Sequence, residues 1–108
     1  MGTSASLGRP LAGIRVLDLS RVFSGPLCGR LLVDLGADVV KVEEPGEDIL
    51  RAQPPIVDGV GTLFAQVNAG KRNVSLDLKV EGAAALLARL AKQADVLIEN
   101  FRPGVLAR

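Results

Sequence analysis

The sequence predicts an α/β fold, a Rossmann-like parallel sheet with flanking helices. Short apolar runs of strand length, Ile14 to Leu19, Asp38 to Val42 and Asp95 to Glu99, recur along the chain. Between them lie stretches whose leucines and alanines return at helical spacing. The second run follows the first helical stretch within a residue or two, which implies a right-handed crossover and parallel pairing.

Ile14 to Leu19 is apolar except for Arg15 and Asp18, and Leu11-Ala12-Gly13 supplies the turn before it. Ser24-Gly25-Pro26 opens the first helix, because proline near the first helical position loses no intrahelical bond and Ser24 or Gly25 can cap. Leu27, Leu31 and Leu35, with Cys28 and Leu32 beside them, form a helical stripe that makes Cys28 a small buried hydrophobe. Gly36 ends this helix, since a left-handed residue after the last turn costs glycine nothing. Asp38 to Val42 is the second strand. Residues 43–61 hold three prolines and three glycines and read as a long loop of the kind that often carries function.

Thr62 to Asn68 reads as one or two helical turns. Val74, Leu76 and Leu78 alternate with Ser75, Asp77 and Lys79, the period of a strand with one wetter face. Glu81 to Gln93 forms the next helix, with Leu86, Leu87, Leu90, Ala91 and Ala94 turned inward. Asp95 to Glu99 is a further buried strand, and Pro103 is placed to start another helix. Residues 1–10 are small and polar and read as a loose tail, which leaves residues 11–108 as one Rossmann-like segment.

The totals set bounds on function. At 108 residues, 48% hydrophobic and 23% charged, the chain has the profile of one soluble globular unit with a modest core. Its 13 basic and 12 acidic side chains create no net field to draw nucleic acid or an anionic membrane. One cysteine makes no internal disulfide, and no apolar run approaches the roughly 20 residues needed to span a bilayer. The expected location is the cytoplasm. Without Trp or Tyr, the core is built from Leu, Val, Ile and Ala.

In open parallel sheets, ligands sit beyond the carboxyl ends of the strands. Four segments lie there: Ser20 to Pro26, Glu43 to Gly46, Asn68 to Lys79 and Asn100 to Arg108. The first precedes a helix N-terminus, which favours phosphate or a developing oxyanion, but from spacing alone it reads more simply as an ordinary capped loop. Gly70-Lys71-Arg72 is not a Walker A loop, because Ala65 and Arg72 occupy the glycine and Ser/Thr positions. No G-x-G-x-x-G follows the first strand, which disfavours a dinucleotide dehydrogenase. The absence of histidine removes metal constellations and Ser-His-Asp or Cys-His pairs. Lys71, Arg72, Lys79 and Arg108 together could meet several phosphates, although each alone reads as a solvated charge. Asp18, Asp38 and Asp95 read as turn-bonding residues at strand edges.

Four segments carry a family resemblance: Ile14-Arg-Val-Leu-Asp-Leu-Ser20, Asp34-Leu-Gly-Ala-Asp-Val-Val-Lys-Val-Glu43, Asn68-Ala-Gly-Lys-Arg-Asn-Val-Ser-Leu-Asp-Leu-Lys79 and Val96-Leu-Ile-Glu-Asn-Phe-Arg-Pro-Gly-Val-Leu106. In this order they resemble the opening of the class III coenzyme A transferases, the carnitine-dehydratase-like family. The resemblance implies that residues 11–108 are the coenzyme A-binding N-terminal segment of a longer chain. It also implies an interlocked homodimer acting on an acyl-CoA and a carboxylic acid acceptor, with no metal. By position it places Val22, Phe23 and Ser24 beside the pantetheine and thioester. Leu76, Lys79, Asn100, Phe101 and Arg108 fall near the nucleotide end.

The family's chemistry, so implied, is attack on the thioester by an aspartate that lies beyond this sequence, through a mixed anhydride. Residues 1–108 are therefore expected to be inactive alone. Two alternatives stay open: a racemase of the α-methylacyl-CoA type, and a non-catalytic nucleotide-binding or interaction module.

Overall fold

The computed structural model describes residues 9–45 and 48–101. Most of the expected tail, Gly46 in the second strand-exit segment, the helix start at Pro103 and Arg108 lie outside the described residues. The elements are β1 (Arg15–Asp18), α1 (Ser24–Asp34), β2 (Asp38–Glu43), a 3-10 turn (Ile49–Ala52), β3 (Ile56–Val57), β4 (Val60–Gly61), α2 (Thr62–Asn68), β5 (Arg72–Ser75), α3 (Ala83–Lys92) and β6 (Val96–Ile98). The main sheet has four strands in the order β5-β2-β1-β6, and all its pairings are parallel. The chain steps from β1 outward through β2 to β5, then returns to place β6 on the other side of β1. This reversal opens a crevice above the carboxyl ends of β1 and β6.

Alternation along the strands divides the side chains between two faces. Val16 and Val39 pack with Ala37 against Leu32 and Val33 of α1. Leu17, Leu19 and Val42 face the other way, onto Leu87 and Leu90 of α3 and Ala94 just after it. A third cluster, Leu50, Phe64 and Val67, takes in Leu27 and ties α2 and the 3-10 turn to α1.

Several expectations shift. The inward side of α1 is Gly25, Pro26 and Gly29 with Leu32 and Val33, whereas Leu31 and Leu35 are exposed, and so is Cys28. Small residues bring α1 close to the sheet, so the leucine stripe is displaced sideways. The residue before α1 is Phe23, without a side-chain cap from Ser24 or Gly25. Gly36 adopts φ +105° as expected of a helix stop. In α3, Leu86 and Ala91 are exposed and lie outside the core cluster that holds Leu87, Leu90 and Ala94. The strand expected to be buried at Asp95 to Glu99 leaves Val96 and Leu97 exposed.

The stretch 43–61 is not a featureless loop. The Asp48 carboxylate accepts from the Leu50 N–H and starts the 3-10 turn, and β3 and β4 pair as a short antiparallel hairpin through Asp58 and Gly59. Strand β5 ends at Ser75, earlier than the alternation suggests. Asp77 ends the extended run, because its side chain accepts from the Lys79 N–H and its carbonyl from the Val80 N–H. Leu76 and Lys79 therefore lie in the segment leading to α3, with Leu76 packed on the core under that helix.

Candidate functional site

The loop after β1 is built from below. Asp18, Ser20, Lys41 and Glu43 alternate onto the α1 face of the sheet, beyond Val16 and Val39, so that face turns from apolar to charged toward the strand exits. Asp18 accepts from the Ser20 N–H at 2.9 Å and also from the Ser20 hydroxyl. Its other oxygen accepts from Lys71 Nζ at 2.7 Å, and both side chains are buried, at 0% and 1% exposure. Lys71 also donates to the Pro26 carbonyl at 2.9 Å and to Asn68 Oδ1 at 2.7 Å. Burial pushes the Lys71 ammonium below its ordinary value, against the pull of Asp18. Lys71 is thus a locked interior cation, not a surface charge reaching for phosphate, and Asp18 is its buried counter-ion.

Lys41, equally buried, donates to the Ser20 carbonyl at 3.0 Å and lies 3.7 Å from Asp48 Oδ2. Arg72 instead pairs with Asp38 at the surface, and Asp95 accepts from the Arg15 N–H. Glu43 is held by Arg51 and Asn73. Burial alone would raise its carboxyl, but those hydrogen bonds and the neighbouring cations outweigh it and leave the group below its usual value of 4.5. A carboxylate with a depressed folded-state pKa contributes stability above the unfolded value, and that stability fades as pH falls through the folded one. The urea midpoint should therefore drop on acidification below about pH 4.5, and less steeply in Glu43→Gln. Equal slopes for the two proteins would contradict this role.

Above these charges the loop is tightly fixed. Val22 has φ 72°, a left-handed conformation that a β-branched residue rarely adopts. Gly25 sits where a Cβ would run into the Ser20 side chain, so glycine is required for α1 to approach the loop. Across the crevice, Asn100 accepts from the Arg21 N–H at 3.0 Å and donates to the Arg21 carbonyl at 2.7 Å. The Arg21 guanidinium lies over the Phe101 ring, 4.9 Å from its centre.

Two clefts meet at this pair. One, of about 470 Å³, is lined by Val22, Phe23 and Ser24 with Asn100 and Phe101. The other, of about 670 Å³, is lined by Lys79 and Leu78 with Leu87, Ala88 and Leu97, and by Phe101 again. Arg21 and Phe101 border both. Of the residues singled out from the sequence, Val22, Phe23, Ser24, Lys79, Asn100 and Phe101 thus converge on one crevice, whereas Leu76 supports it from the core. Arg108 lies outside the described residues. Arg21 and Leu78 lie within the strand-exit segments Ser20 to Pro26 and Asn68 to Lys79, without having been assigned an individual ligand contact. Among the described residues no group of His, Cys, Asp and Glu could hold a metal ion, and no helix is long and apolar enough to cross a membrane.

The model of CoA-transferase family III matches residues 11–108. A succinyl-CoA:mesaconate CoA-transferase from Haloarcula hispanica is 45% identical over 103 residues, covering 91% of this chain and 26% of the relative. A succinate–glutarate CoA-transferase from Agrobacterium fabrum is 44% identical over 107 residues, covering 92% of this chain and 27% of the relative. Among solved structures, a CAIB/BAIF family protein from Brucella suis superposes with a TM-score of 0.85 at 42% identity, over 93% of this chain and 28% of that one. The chain spans about a quarter of the length of the curated relatives it matches.

Proposed function

The chain belongs to CoA-transferase family III, and from that premise we propose that residues 11–108 form the coenzyme A-binding unit of an acyl-CoA:carboxylate CoA-transferase. The observation that carries this reading is the crevice shared by Phe101, Lys79 and the Val22–Ser24 loop at the switch point of the sheet. A long ligand with an apolar arm and a charged nucleotide end needs such a site, with a ring and aliphatic walls along it and a mobile cation at its margin. In this reading Val22, Phe23 and Ser24 flank the pantetheine and thioester, and Phe101 and Lys79 serve the nucleotide end. Arg108 adds a guanidinium fork for phosphate.

The attacking group is an aspartate carboxylate supplied from outside these 108 residues. It adds to the thioester carbonyl, the C–S bond breaks, and a mixed anhydride forms as coenzyme A leaves as the thiolate. An incoming carboxylate attacks the aspartyl carbonyl and expels the first acid, which gives a second mixed anhydride. The thiolate then attacks the new acyl carbonyl, forming the new acyl-CoA and freeing the aspartate. The working unit is an interlocked cytoplasmic homodimer, in which further polypeptide covers the apolar side chains left exposed at Val80, Leu86 and Val96.

Titration calorimetry on the 108-residue chain is the test. Saturable binding of coenzyme A, tighter than that of ADP and without acyl transfer, is the expected result. No heat at millimolar coenzyme A would overturn the reading. Equal affinity for ADP would return the chain to a nucleotide-binding module, because the pantetheine arm would then contribute nothing.

A further inference from the structure

The four backbone polar groups of Ser20 and Arg21 are all taken by side chains. Asp18 accepts from the Ser20 N–H, Lys41 donates to the Ser20 carbonyl, and the two ends of the Asn100 amide engage the Arg21 N–H and carbonyl. Backbone pairing between β1 and β6 ends just before this point, where the Leu19 N–H donates to the Ile98 carbonyl at 2.8 Å. The Asn100 amide thus adds one more rung to the sheet with a side chain in place of a peptide. The next residue, Val22, carries the left-handed φ. Such a conformation is strained for a β-branched residue and persists only where neighbours over-determine it.

We infer that Asn100 is a positioning residue: its amide grips the Arg21 peptide and holds Val22 in the strained turn that sets the Val22–Ser24 wall of the crevice. Its effect on a ligand is transmitted through the loop. The Asp18 and Lys41 contacts fix Ser20, one residue earlier, and the Asn100 amide holds the N–H and carbonyl of Arg21. For the ligand this inference rests on the coenzyme A reading; for the loop it does not.

The test has two arms. In the ligand-free chain, backbone NMR should show the strong intraresidue HN–Hα contact of a positive φ at Val22 and slow exchange of the Arg21 amide. Asn100→Ala should lose both while the amides of Val16 and Val39 keep their protection. An unchanged Val22 signature in Asn100→Ala overturns the inference. In the second arm, coenzyme A affinity is measured in Asn100→Ala, Val22→Gly and the double variant. With valine at position 22, losing the amide should weaken binding about tenfold. With glycine, which adopts the left-handed region freely, the same loss should be no more than about threefold. Equal losses in both backgrounds would mean that Asn100 touches the ligand directly, and would overturn the inference. Absence of binding by the wild-type chain would sink the coenzyme A reading alone, and the NMR arm would still decide the role of Asn100.

Discussion

Asp18→Ala should be the most damaging single substitution in this chain. The carboxylate is fully buried, 2.7 Å from the buried Lys71 ammonium, and it also serves the Ser20 N–H. Its removal leaves an interior cation with only two neutral acceptors, the Pro26 carbonyl and Asn68 Oδ1. Breaking a buried pair from one side costs about 3–5 kcal/mol, a large share of the roughly 5–15 kcal/mol that holds a typical domain together. Lys71, already pushed down by burial, relieves part of this cost by giving up its proton. The chain has no Trp or Tyr, so far-UV circular dichroism in urea is the suitable measurement. The variant should unfold at much lower urea than the wild type.

The partner substitution separates charge from shape. Asp18→Asn with Lys71→Met removes both charges, and its midpoint should recover well above that of Asp18→Ala. If Asp18→Ala unfolds with the wild-type midpoint, the buried pair is not what holds the loop and α1 to the sheet.

Much of the sheet was legible because its strands and helices announce themselves by period. Val16, Leu17, Val39, Val42, Leu87 and Leu90 occupy core positions, and Gly36 stops α1 as its freedom of φ predicts. What escaped the sequence depends on which charges meet in space. Asp18 and Lys41 each interrupt an apolar run, and a lone charge in such a run reads as an edge or turn. Yet they are register partners on neighbouring strands, and with Ser20 and Glu43 they fall on one face by simple alternation. That alternation was available from the sequence. The pairing of Asp18 with Lys71, 53 residues away, was not, since it needs the β5 crossover. The 3-10 turn and hairpin escaped for a different reason: the Asp48 cap and the Asp58-Gly59 turn are local chemistry without periodicity. The crevice residues were named through family resemblance, and their convergence follows from the strand order, which brings β6 beside β1.

Phe101→Ala should have the largest effect on coenzyme A affinity under the proposed function. The ring has two jobs, and their energies differ. Toward the protein it is half-buried, resting on the Leu17, Leu19 and Val42 cluster. Toward the crevice it carries the Arg21 guanidinium and borders both clefts. Full burial of an aromatic side chain is worth about 3–5 kcal/mol on truncation to alanine, so a half-buried ring should cost the fold about 1–2 kcal/mol. The ligand would lose the apolar ring that borders both clefts, and Arg21 would lose the ring that orients it. Together these should weaken coenzyme A binding by at least tenfold, or about 1.4 kcal/mol. Phe101→Leu discriminates the two jobs, because it refills much of the core volume without a flat ring. It should melt close to the wild type and still bind several-fold more weakly. Calorimetric titration paired with a circular dichroism melt reads both quantities on the same samples. Full affinity in a Phe101→Ala protein that melts lower would make the ring a packing residue only, and the crevice would then have to hold its ligand by the loop and the cations alone.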